Sequence, residues 1–156
     1  MIKIEMENSK TMTFELDAKA APKTVANFEK LVKEGFYDGL IFHRVIRGFM
    51  IQGGDPQGSG FGGSDENIAG EFKNNGYDNP ISHKRGVISM ARSQNPDSAS
   101  SQFFICHADA EFLDGDYAAF GMMTDGFDTL DEIAATPTDM MDRPMREQKI
   151  KTVTII

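Results

Sequence analysis

The chain opens on a strict alternation, with Ile2, Ile4 and Met6 apolar against Lys3, Glu5 and Glu7. This is the period-two pattern of a strand that buries one face. Asn8-Ser9-Lys10 supplies turn chemistry, and Met12, Phe14 and Leu16 then resume the alternation, which predicts a β-hairpin. At Pro22 the period changes. Val25, Phe28, Leu31 and Val32 fall on one helical face, Pro22 suits the first helical position, and Gly35 suits the end. Strand-like runs return at Leu40 to Ile46, Phe49 to Gln52, Val87 to Ala91, Gln102 to Cys106, Ala118 to Met122 and Lys149 to Ile156. After Thr124-Asp125-Gly126, the residues Phe127, Leu130, Ile133 and Ala134 are at helical spacing within Phe127 to Ala135. Two helices among many short strands predict a mainly β chain, a barrel with capped ends.

The segment from Gly53 to Asn79 breaks both periods. It is rich in Gly, Asn, Ser and Asp, with Ile68 and Phe72 among its few apolar anchors, and reads as an ordered surface loop with a short strand near Ile68 to Phe72. No internal repeat and no linker interrupts the rest, so one domain over 1–156 is expected. Hydrophobic residues at 40% and charged residues at 26% place the chain among globular proteins that bury a core. A net charge of -8 without any basic cluster argues against a nucleic-acid partner, because binding a polyanion depends on clustered Lys and Arg. The N-terminal MIKIEMENSK has no signal-peptide core, and no stretch approaches the roughly 20 apolar residues that span a bilayer. A cytoplasmic protein without a membrane partner is expected. The single cysteine, Cys106, excludes an internal disulfide and a thiolate zinc cage, and is read as a small core residue.

Several motifs imitate chemistry that their context does not support. Gly58-Ser59-Gly60-Phe61-Gly62-Gly63 matches a dinucleotide fingerprint, but Ser64-Asp65-Glu66-Asn67 follows it where a phosphate-binding helix should begin. His43, His83 and His107 show no metal-ligand spacing, and no serine sits in a Gly-x-Ser-x-Gly elbow. Each histidine is read as structural or solvent-exposed, and neither a metal nor another cofactor is expected.

The informative stretch is Tyr37 to Asp55, YDGLIFHRVIRGFMIQGGD, in which a strand of branched apolar residues carries Arg44 at its middle. In a regular strand Phe42, Arg44 and Ile46 share one face, so Arg44 points with two apolar residues toward a core or a pocket. Two readings stand at this point: a snorkelling or salt-bridged arginine, and a functional one. After the Arg47-Gly48 turn, Met50 and Gln52 again mix an apolar with a polar group on one face. In Ser101 to Cys106, Phe103 and Ile105 enter the core while Gln102 and Phe104 face the other side, near Phe112, Leu113 and Tyr117. The pattern suits an apolar pocket with few convergent polar groups.

These residues resemble the cyclophilins. FHRVIRGFMIQGGD at Phe42 to Asp55 has the family's spacing, SMARSQNPDSASSQFFIC at Ser89 to Cys106 and EFLDGDYAAFG at Glu111 to Gly121 agree with it, and the likeness runs from FELDAKAAPKTVANF at Phe14 to Phe28 through the terminal strand Lys149 to Ile156. The resemblance implies a closed antiparallel eight-stranded barrel capped by two α-helices, with a substrate groove on its outer surface. It implies a peptidyl-prolyl cis-trans isomerase that assists protein folding and acts on proline-containing peptides and unfolded protein segments, without a cofactor and as a monomer. By position, Arg44 is then the catalytic arginine, Gln52 its polar partner, and Phe49, Met50, Phe104 and Leu113 the proline pocket. Gln102, Phe112 and Tyr117 rim it, and Ala91 and Arg92 offer backbone to the residues preceding the proline. Phe112, Tyr117, Arg47 and Arg92 stand where the better-known eukaryotic members carry Trp, His, Pro and Asn, which looks like the bacterial branch. Without an indole N–H at Phe112, cyclosporin is expected to bind weakly at most. Two rivals remain: a binding module or chaperone on the same barrel, and a barrel enclosing a small ligand, which the bulk of Ile4, Phe14, Phe103 and Ile105 disfavours.

Overall fold

The alternation at the N-terminus forms β1 (Ile2–Met6) and β2 (Thr11–Leu16) in the computed structural model, which describes residues 1–156. The pair is antiparallel with Ile2 opposite Phe14 and Ile4 opposite Met12, so four large side chains bury on one face. Six further strands follow: β3 (Phe42–Ile46), β4 (Met50–Gly53), β5 (Val87–Met90), β6 (Phe103–Cys106), β7 (Ala119–Asp125) and β8 (Ile150–Ile155). They form one antiparallel sheet in the order β3-β4-β6-β5-β7-β2-β1-β8. The eight-stranded fold predicted from the sequence is present, but its closure differs from a continuous barrel ladder. The edge strands β3 and β8 meet only at a seam, where Ile41 bridges Lys149 and the segment 39–42 exchanges main-chain hydrogen bonds with Gln148 and Ile150. The curled sheet is therefore a half-barrel drawn together at one edge.

Two helices complete the core. α1 (Pro22–Lys33) starts on Pro22 and buries Val25, Phe28, Leu31 and Val32, while α2 (Phe127–Ala134) buries Leu130, Ile133 and Ala134. α1 lies against β8, and α2 against β2 and the β3–β4 pair. Both apolar faces enter one cluster with Phe14, Phe42, Phe103 and Phe120. Phe28 sits at its centre, with ring centroids 5.0 Å from Tyr37 and Phe120 and an edge contact to Phe103 at 5.6 Å. These side chains occupy the inside of the sheet, which leaves the small-ligand reading without a chamber. Tyr37 is fully buried and its hydroxyl donates to the Ser101 carbonyl oxygen at 2.8 Å. Tyr37→Phe is expected to lower stability by about 1–2 kcal/mol, because a buried acceptor loses its donor. Urea unfolding should show this as a lower midpoint at unchanged slope.

The 53–79 segment is ordered by buried anchors. Phe72 enters the core, Glu71 accepts from the Thr24 amide at 2.6 Å and the Thr24 hydroxyl at 2.8 Å, and Asn79 donates to the Glu71 and Ala119 carbonyl oxygens. The short strand predicted near Ile68 to Phe72 is reduced to a single bridge between Ile68 and Ala99, followed by a 3-10 turn over Lys73–Asn75. The apolar anchors that suggested a strand serve instead to pin the loop.

Candidate active site

Arg44 reaches the outer surface through an irregularity. Phe42 pairs with Gly53 but Arg44 with Gln52, so the register shifts at His43 and breaks the alternation there. Such a bulge re-aims the side chains that follow it. Phe42 and Val45 consequently point into the core, whereas Arg44 is exposed and Ile46 packs on the outer side. The expectation that Phe42 shares a face with Arg44 and Ile46 is corrected by this bulge. Arg44 pairs with no carboxylate, and its guanidinium makes one long hydrogen bond, Nη1 to Gln52 Oε1 at 3.4 Å. The salt-bridged reading of Arg44 therefore fails.

A second apolar cluster lies outside the barrel, on the opposite side of β4 and β6 from the core, and contains Met50, Phe104 and Leu113, with Phe49, Ala91 and Tyr117 packed against it. Its surface is a depression of about 130 Å³ lined by Arg44, Phe49, Met50, Gln52, Ala91, Arg92, Phe104, Leu113 and Tyr117. Nine of the eleven residues singled out from the sequence thus converge on one small apolar hollow. The other two flank it. Phe112 is exposed, with its ring 5.6 Å from Phe49, and Gln102 lines an adjoining polar groove of about 580 Å³ that shares Gln52, Ala91 and Arg92 with the hollow. The Arg92 guanidinium is already held by the Asp116 carbonyl oxygen and sits over the Phe72 and Tyr117 rings. Its side chain is a staple, while its main-chain N–H and C=O have no partner within the chain.

Gln52 and Gln102 belong to a directional chain of hydrogen bonds. Arg44 donates to Gln52, Gln52 Nε2 donates to Gln102 Oε1 at 2.9 Å, and Gln102 Nε2 donates to the carbonyl oxygens of Gly60 at 3.1 Å and Gly62 at 2.8 Å. The chain ends on Asp55. This carboxylate accepts from the amides of Gln57, Ser59, Gly60 and Gly62 and from the Ser59 hydroxyl. The glycine-rich run that imitates a phosphate loop is thus an anion-binding nest whose anion is built in. Burial alone would raise the Asp55 pKa, but the amides of Gln57, Gly62 and Gly60 and the Ser59 hydroxyl outweigh it and hold the carboxyl below its usual range. Sequence reasoning passed over Asp55; its signal was a carboxylate directly ahead of a run rich in unpaired amides.

The hollow is backed by a second network absent from the sequence reading. His83 stacks on Phe104 at 5.9 Å, its Nδ1 donates to Asp114 at 2.8 Å, and its Nε2 accepts from the Ser89 hydroxyl at 2.9 Å. The arrangement imitates a nucleophilic triad, but His83 and Ser89 are wholly buried, so the serine cannot meet a substrate. Burial lowers the His83 pKa although Asp114 opposes it, and the ring stays neutral. Cys106 is buried in the same outer cluster. Its burial and the charges of Asp114 and Asp109 push the thiol up to about 12, which keeps it protonated and inert at neutral pH. No helix is long and apolar enough to cross a membrane.

An outward arginine beside a small apolar hollow on a curled antiparallel sheet is the arrangement that the cyclophilin resemblance implies for a proline-binding groove. Comparison with known proteins gives the same answer. Residues 1–155 match the family model described as cyclophilin type peptidyl-prolyl cis-trans isomerase/CLD. Peptidyl-prolyl cis-trans isomerase B of Bacillus subtilis is 48% identical over 123 residues, covering 79% of this chain and 82% of that protein. Peptidyl-prolyl cis-trans isomerase CYP18-1 of Arabidopsis thaliana is 44% identical over 142 residues, covering 90% and 87%. A crystal structure of a Cryptosporidium parvum cyclophilin type peptidyl-prolyl cis-trans isomerase, determined in the presence of the dipeptide Ala-Pro, superposes with a TM-score of 0.91 at 36% identity and covers 99% of this chain and 98% of that one. The chain belongs to the cyclophilin-type peptidyl-prolyl cis-trans isomerases.

Proposed function

We propose that Arg44 is the catalytic side chain, and that the hollow of Phe49, Met50, Phe104 and Leu113 takes the proline ring of peptides and unfolded protein segments. The observation that carries this reading is a guanidinium with no carboxylate partner and one long hydrogen bond, beside an apolar hollow of proline size. Rotation about an Xaa-Pro bond meets a barrier of about 20 kcal/mol, because amide resonance gives the C–N bond double-bond character. As the bond twists, the prolyl nitrogen becomes pyramidal and gains a lone pair, and a donor aimed at it stabilises the twisted state above the planar one. Arginine suits the position because it stays charged at every relevant pH and presents planar donors. Gln52 holds the guanidinium from one side and is itself held by Gln102. Tyr117 and Phe112 rim the hollow, and the Arg92 main chain, with Ala91 beside it, is free to pair with the residues ahead of the proline.

An acceleration of about 10⁵ requires the barrier to fall by roughly 7 kcal/mol. One placed charged donor supplies roughly 3–4 kcal/mol of this, and transfer of the amide into the apolar hollow with fixed orientation supplies the remainder. We further propose that the chain works as a single-domain monomer in the cytoplasm, assists folding by this reaction, and binds cyclosporin weakly at most, since Phe112 offers no N–H donor. Exchange NMR on an Ala-Pro-containing peptide tests enzyme against binding module. Catalytic amounts of the chain should produce cis–trans exchange cross-peaks, whereas a pure binder would shift the resonances and leave interconversion slow.

A further inference from the structure

His107 follows β6 and grips the turn that carries Phe49. Its main-chain N–H donates to the Phe49 carbonyl oxygen at 2.9 Å, and its ring Nδ1 accepts from the Gly48 amide at 2.8 Å. Gly48 is at φ +81°, in the left-handed region, and the turn has one further closing bond, Phe49 N–H to the Ile46 carbonyl oxygen at 3.0 Å. Because Nδ1 is an acceptor, the ring proton of the neutral form is on Nε2, which lies 3.0 Å from Asp131 Oδ1 on α2. The tautomer is fixed from both sides. Asp131 is in turn held by Arg85, whose Nη1 and Nη2 donate to its two oxygens at 2.7 and 2.9 Å. The charged groups linked to the ring are Asp131 from α2, which faces Nε2, and Arg85 from the approach to β5, which holds Asp131 and donates to the His107 carbonyl oxygen at 3.0 Å; Asp109 accepts from the Arg85 amide at 2.9 Å, and Arg47 neighbours Gly48 in the chain.

We propose that His107 is a positioning residue for the proline hollow: its neutral ring latches the Arg47-Gly48 turn, and protonation of Nδ1 releases that latch and lets the Phe49 wall move. A proton on Nδ1 turns the acceptor into a donor facing the Gly48 N–H, so the bond is lost whatever Asp131 does at the other nitrogen. Phe49 is the next residue, and its ring lines the hollow and packs on Phe112. The effect on catalysis rests on the proposed hollow; the latch itself does not.

The test follows the uniformly ¹⁵N-labelled full chain from about pH 8 to about pH 5. The Gly48 amide should shift with the same midpoint as the His107 ring, and kcat/KM for an uncharged Xaa-Pro peptide should fall about five-fold over that span, the equivalent of one ordinary hydrogen bond. His107→Asn places an amide oxygen where Nδ1 stood and cannot gain the proton, so it should keep the high-pH rate and lose the acid decline. His107→Ala should be about five-fold slower throughout. A Gly48 amide that ignores the His107 titration would overturn the latch, and so would an acid decline that survives in His107→Asn. A failure of the Arg44 reading would look different, leaving the Gly48 response intact while activity ceased to depend on Arg44.

Discussion

Arg44→Ala lowers kcat/KM for an Xaa-Pro peptide by roughly 100- to 1000-fold while the chain remains folded, a loss that corresponds to one well-placed charged donor. The two halves of this expectation have separate grounds. Arg44 is exposed, pairs with no carboxylate and shares one long hydrogen bond, so its removal touches neither the core nor an ion pair. Surface substitutions of this kind stay within about 0.5 kcal/mol of the parent stability. The catalytic half follows from the proposed role of Arg44 through differential binding: the lone pair that the guanidinium would meet exists only in the twisted amide. Arg44→Lys should restore little, because a flexible ammonium cannot hold the planar donor arrangement that Gln52 fixes. Unfolding curves and peptide isomerisation rates on the same samples check both halves.

Asp55→Asn carries the largest expected effect on stability. The carboxylate is 1% exposed and accepts at both oxygens, from Gln57 at Oδ1 and from Ser59, Gly60 and Gly62 at Oδ2. Whichever way an asparagine amide turns, its NH₂ faces at least one backbone donor. The cost should be about 3 kcal/mol, since several charge-assisted bonds to one buried carboxylate are lost together. The pH dependence has a definite sign. The folded pKa of Asp55 is lowered, so its stabilisation is complete above the unfolded value near 3.9 and is lost as pH falls through the folded value. The stability gap between parent and Asp55→Asn should therefore be full at neutral pH and should close in acid. Activity should fall as well, on the order of ten-fold, because Gly60 and Gly62 hold Gln102, which orients Gln52 and through it Arg44.

How much of this was legible in the sequence depends on where the determining force acts. The hairpin at Ile2 to Leu16 and the helix from Pro22 were readable because their side chains divide between core and solvent with the period of the backbone. The aromatic and aliphatic members of the hollow were readable for the same reason, as apolar residues on the face of β4 and β6 opposite the core. The orientation of Arg44 was not. A bulge at His43 shifts the parity of β3, and a one-residue backbone irregularity leaves no hydrophobic signature. The roles of Asp55 and Ser89, and the particular partners of His83 and His107 beyond a structural reading, were not legible because they rest on hydrogen bonds to main-chain groups or between side chains of different segments, which side-chain patterning does not encode. The seam between β3 and β8 was hidden likewise, being made of backbone bonds between segments about a hundred residues apart.

The claim on which the account stands is that Arg44 stabilises the rotating bond more than the resting one. Line-shape NMR on a saturated Xaa-Pro peptide complex separates the on-enzyme cis–trans rate from affinity. For Arg44→Ala the on-enzyme rate should fall by the full factor while the peptide Kd changes little. An unchanged on-enzyme rate, with the whole loss appearing as weaker binding, would contradict the account and make Arg44 a binding residue.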